Sequence, residues 1–129
     1  GNHDGFHIRN TNAYDFASVC IGSISANLFL TLANGMPAII SHTPRKAYIE
    51  RGVELKDVAS NSLDKALLRY APDVPDGIVH LYGHTHGKSP DEFHDGTSIN
   101  IGLDAWRLRP VSERQIIETL ARMQATDCA

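Results

Sequence analysis

Two apolar runs flank an Asn-Gly pair in "NLFLTLANGMPAIISH", and this stretch restricts the fold more tightly than any other in the chain. Leu28 to Leu32 is β-compatible, Asn34-Gly35 tolerates the positive φ of a tight turn, and Ala38 to Ser41 returns. The segment therefore predicts a β-hairpin. Pro37 has no N–H to donate, so the returning strand starts late or lies at a sheet edge. Pro44 ends the ladder and leaves His42 at a strand-to-loop junction.

Further elements follow from the same kind of pattern. "RKAYIE" begins a helix that Gly52 breaks, inside a polar, loop-rich stretch from Arg45 to Ser60. In "SLDKALLRYAP", Leu63, Ala66, Leu67 and Tyr70 recur at helical spacing, with Asn61 or Ser62 to cap the start and Pro72 to stop the end. Ile78 to Tyr82 is a short apolar strand running into "GHTHG". "TSINIG" is another strand, with Ile99 and Ile101 inward. "SERQIIETLARM" places Ile116, Ile117, Leu120 and Met123 on one face behind an N-cap at Ser112, which predicts a closing amphipathic helix. Strands alternating with helices give an α/β (α+β) class.

At 129 residues and 42% hydrophobic content, residues 1–129 suffice for one domain or part of one. A net charge of -3, with 12 Lys+Arg spread along the chain, supplies no basic stripe. General nucleic-acid binding is not expected, whereas a single nucleotide could still be bound. Cys20 and Cys128 make no framework spacing and suit a reducing compartment. No apolar run is long enough to span a bilayer, and the first residues carry no signal-peptide pattern. The expectation is a soluble cytoplasmic protein without a membrane partner.

The chemistry gathers on histidines. In extended backbone His84 and His86 would project to the same side, and Gly83 and Gly87 let the main chain approach a ligand closely. Neutral imidazole is a common ligand of Zn, Fe, Mn and Ni. His42 ends another apolar strand, the position where open α/β sheets collect ligands. "GNHDG" adds an amide, an imidazole and a carboxylate in Asn2, His3 and Asp4. The remaining histidines read differently: His80 alternates with Tyr82 as a packed core residue, His94-Asp95-Gly96 is a hairpin turn, and His7 with Arg9 sits in a solvated loop. Trp106 and "RLRP" pack the tail against the sheet.

In this order, "GNHD", "ISHTP" and "GHTH" resemble the calcineurin-like metallophosphoesterases. "NIGLDAWRLRPVS" is similar to the sequence after the histidine pair in small bacterial and phage-type members, so the resemblance runs from Gly1 to about Ile117. It implies a β-sandwich flanked by helices, of which this chain is the C-terminal portion. It also implies metal-dependent hydrolysis of a phosphomonoester or phosphodiester, nucleotides included, with two divalent ions drawn from Mn, Fe, Zn or Ni. By the same resemblance Asn2, His42 and His84 hold one ion and His86 belongs to the other. His3 assists the leaving group, and Asp4 orients it. Two ions neutralise phosphoryl oxygens and generate hydroxide at neutral pH, and an imidazole protonates the departing oxygen.

The family's D-x-H and G-D-x-x-D, which hold the first ion and bridge the two, have no counterpart in the chain. The expectation is a partial site that binds metal weakly and turns over slowly or not at all, with an open sheet edge through which the chain self-associates. The alternative is a non-catalytic binding or scaffold module that retains the fold.

Overall fold

The computed structural model describes residues 27–54, 57, 65, 68–69 and 71–127. Asn2, His3, Asp4, His7, Arg9, Cys20, Asn61, Ser62, Leu63, Ala66, Leu67, Tyr70 and Cys128 lie outside the described residues. The hairpin forms as the Asn-Gly pair predicts. Strand β1, Asn27–Thr31, runs antiparallel to β2, Pro37–Ser41, with Leu30 opposite Ala38. Gly35 takes φ +85° and the turn closes through Leu32 N–H donating to Met36 O at 2.9 Å. Pro37 occupies the first position of β2, one residue before pairing with the next strand begins at Ala38. That settles its two readings: β2 is an inner strand that starts with its proline.

Helix α1, Arg45–Glu50, follows and stops at Gly52, whose φ of +68° suits a residue without Cβ. Further along, Lys65, Leu68 and Arg69 are helical, and Leu68 is buried. Strand β3, Val79–Tyr82, pairs parallel to β2, and β4, Ser98–Asn100, pairs parallel to β3. A 3-10 turn at Leu103–Trp106 leads to helix α2, Glu113–Asp127. The described residues thus form a mixed α/β fold around an open four-stranded sheet of order β1-β2-β3-β4. No helix among them is long and apolar enough to cross a membrane.

Period-2 alternation sorts the sheet into two faces. Ala38, Val79, Leu81 and Ile99 join Leu32 and the Ile116, Leu120 and Met123 stripe of α2 in one core cluster, with Ile101, Ile117 and Trp106 packed against it. Ser112 begins α2 with a reciprocal cap: Gln115 N–H donates to Ser112 Oγ at 3.3 Å, and Ser112 N–H donates to Gln115 Oε1 at 2.9 Å. The Trp106 indole N–H donates to Asn100 O at 2.7 Å, so Trp106 packs on the sheet as expected, whereas Arg107, Leu108, Arg109 and Pro110 are exposed, which corrects that half of the reading.

The opposite face is polar yet buried, carrying Ser41, His80, Tyr82, Ser98 and Asn100. Phe93 covers part of it, with its ring 5.5 Å from Tyr82 and 5.7 Å from Tyr48. The hairpin expected at His94-Asp95-Gly96 is corrected, because β4 is parallel to β3 and the segment ends a crossover connection. It is still a turn: Asp95 Oδ1 accepts from Thr97 N–H at 2.9 Å and from Ser98 N–H at 2.6 Å.

Candidate metal centre

Parallel pairing brings the C-terminal ends of β2, β3 and β4 to one edge of the sheet, where open α/β sheets hold ligands. His42 follows β2, the Gly83–Gly87 loop follows β3, and the turn bearing Asp104 follows β4. Gly83 N–H donates to His42 O at 3.1 Å, tying the first two ends together. The imidazoles then meet: His84 Nδ1 lies 3.2 Å from His42 Nε2, with ring centroids 5.0 Å apart and the planes inclined at 67°.

That separation suits one ion as well as it suits a hydrogen bond. Two nitrogens 3.2 Å apart, each about 2.05 Å from one cation, subtend an angle of about 100°, between octahedral and tetrahedral values. The His42–His84 separation by itself is compatible with a shared divalent ion.

His86 turns elsewhere, for a reason the extended-backbone reading lacks. His84 and His86 have φ of +67° and +54°, so the segment is left-handed at both histidines and their rings part. His86 Nδ1 lies 2.8 Å from Asp104 Oδ2, and Lys88 Nζ lies 2.9 Å from Asp104 Oδ1. Lys88 first, and His86 second, hold the Asp104 carboxyl below the usual carboxylate range. An ionised carboxylate only accepts, so Nδ1 carries the hydrogen, and in a neutral ring Nε2 is then the nitrogen with a lone pair for a ligand. The side chain of His86 is 79% exposed and accessible to one.

Among the described residues no three His, Cys, Asp or Glu side chains are grouped to hold a metal. The structure joins His42 with His84 and sets His86 on a neighbouring carboxylate. Asn2, assigned to the same ion, and the His3 and Asp4 pair lie outside the described residues.

Sequence reasoning passed over Glu92, Asn100 and Asp104. Asp104 is one of several scattered acids in the sequence, with nothing to single it out. The one signal for Asn100 is strand alternation, which puts it on the face of Tyr82. Glu92 carries no sequence signal at all, because its partners come from three separate segments.

His80 is the packed histidine expected from its strand, only 1% exposed. Ser41 Oγ donates to Thr43 O at 3.0 Å and so accepts from His80 Nε2–H at 2.7 Å. Burial, aided by Lys46 and opposed by Asp95, lowers the His80 pKa to about 4. At neutral pH it is an uncharged structural residue.

The chain matches no protein-family model, no curated protein and no solved structure.

Proposed function

We propose that this chain carries one half of a two-metal phosphoesterase centre, built on the C-terminal portion of a metallophosphoesterase-type sandwich. The observation that carries the reading is the approach of His42 Nε2 and His84 Nδ1 to 3.2 Å at the ends of adjacent parallel strands. His42 and His84, with Asn2, would hold one divalent ion, Mn, Fe, Zn or Ni. His86, with its ring fixed by Asp104, would serve the second. Bound ions supply charge neutralisation at the phosphoryl oxygens and a nucleophilic hydroxide. His3 protonates the leaving oxygen, and Asp4 holds the ring for that transfer. The substrate is a phosphomonoester or phosphodiester, including a nucleotide, and the setting is the cytoplasm.

A second reading, a non-catalytic binding or scaffold module of the same fold, is favoured by one fact: 3.2 Å is also a hydrogen-bonding distance for two imidazoles. Hydrolysis of an aryl phosphomonoester and an aryl phosphodiester, assayed with Mn²⁺ in the chain and in His84→Ala, separates the two. Mn²⁺-dependent turnover lost in His84→Ala supports the enzyme. Turnover equal in both contradicts it, and a wild-type chain that binds no Mn²⁺ favours the module.

A further inference from the structure

His84 and His86 hold left-handed backbone without being glycine, a conformation that crowds Cβ against the neighbouring carbonyl. A loop free to relax would give up that conformation, and the His42–His84 approach with it. Something must therefore hold the segment between Gly83 and Gly87.

Glu92 is placed to do so. Its Oε1 accepts from Thr85 Oγ1 at 2.6 Å, from Tyr82 Oη at 2.7 Å and from Asn100 Nδ2 at 3.3 Å. Thr85 is the residue between the two histidines, Tyr82 ends β3, and Asn100 ends β4. The hydrogen-bond directions are consistent around the web. Thr85 Oγ1 donates its hydrogen to Glu92 and uses its lone pairs to accept from Asn100 Nδ2 at 3.1 Å and Gly87 N–H at 3.3 Å. Asn100 Oδ1 in turn accepts from Gly102 N–H at 2.8 Å, which joins the web to the turn bearing Asp104. Burial first, and the bond to Glu92 second, raise the Tyr82 phenol above its ordinary pKa, so it stays a donor. Glu92 Oε2 lies so close to Gly87 that a Cβ there would overlap it, so a side chain at this position would have to displace the Glu92 carboxylate.

We propose that Glu92 is the positioning residue of the histidine loop: its carboxylate ties Thr85 to the ends of β3 and β4 and so holds His84 against His42. Its consequence for metal binding rests on the proposed function, whereas the positioning itself does not.

The His42–His84 approach is readable without metal, as a nuclear Overhauser contact between the two imidazole rings of the intact chain. Wild type shows the contact. Glu92→Ala abolishes it and shifts the Gly83 and Gly87 amides, while the Leu81 and Ile99 signals of the core persist. Glu92→Gln, which keeps the accepting oxygen, restores it. Thr85→Val removes the donor to Glu92 together with the acceptor for Asn100 Nδ2 and Gly87 N–H, and it abolishes the contact even where Glu92→Ala does not fold. A contact absent in wild type, or kept in both Glu92→Ala and Thr85→Val, overturns the proposal. Zn²⁺ titration of the same samples then separates positioning from ligation. A contact that needs Glu92 in a chain without Zn²⁺ affinity leaves the positioning standing and removes the metal reading. Affinity that falls tenfold or more with the contact supports both.

Discussion

Ser41 and His80 meet inside the sheet, Oγ to Nε2 at 2.7 Å, and the bond fixes which imidazole nitrogen carries the hydrogen. Burial of the ring, rather than that bond, disfavours its charged form. The folded pKa lies at about 4, against about 6.5 in an unfolded chain. Between those values the unfolded state binds more protons, so stability rises with pH across that window. The gain is complete above about pH 6.5, is lost as pH falls toward 4, and amounts to about 3 kcal/mol. Urea midpoints at pH 4.5 and pH 7 should differ clearly in wild type and much less in His80→Gln. An equal pH slope in the two proteins contradicts this role for His80.

Leu120 is buried in the cluster where α2 meets Val79, Leu81 and Ile99. Truncating a buried leucine leaves a cavity as well as removing transfer energy. Leu120→Ala should therefore lower unfolding stability by about 2–5 kcal/mol. Denaturant unfolding checks it, and a loss below about 1 kcal/mol would mean that α2 does not close this core.

The hairpin, α1, the two parallel strands and α2 were legible because each is a local pattern. Asn34-Gly35 demands its turn whatever packs around it, and the Ile116, Leu120 and Met123 stripe needs a partner face. His42 and His84 were legible for a similar reason, since both stand where an apolar strand stops. The left-handed φ at His84 and His86 was not, because the loop that bears them is bonded to distant segments, with Thr85, Tyr82 and Asn100 all donating to Glu92. Asp104 was invisible for the same reason: its partners His86 and Lys88 lie on another loop. Parallel pairing of β4, which turned a supposed hairpin at His94 into a crossover, depends on the whole sheet.

Among the described residues β1 pairs only with β2, and it exposes Phe29 at 69% and Leu28 at 50%. Apolar side chains on such an edge favour edge-to-edge association. Phe29→Lys should shift the chain toward monomer in sedimentation velocity. A sedimentation profile that is unchanged from wild type removes β1 as the contact.

Asp104 accepts from His86 and from Lys88, whose own side chains are largely exposed. Asp104→Asn should leave the urea unfolding midpoint close to that of wild type, since exposed ion pairs contribute little. A carboxylate that orients a ligating imidazole matters far more to the metal, so affinity for the ion at His86 should fall about 10- to 100-fold. Calorimetric titration with Mn²⁺ reads this directly, and unchanged affinity would place His86 outside any metal site.

Ligation of one ion by both His42 and His84 has a quantitative signature. Calorimetric titration of Zn²⁺ or Mn²⁺ into wild type, His42→Ala, His84→Ala and the double variant should show affinity at least tenfold lower in each single variant. The double variant should be little worse than either, because removing one ligand already breaks the shared site. Affinity unchanged in both single variants, with the ring contact intact in wild type, would contradict the metal centre and leave His42 and His84 as a hydrogen-bonded pair.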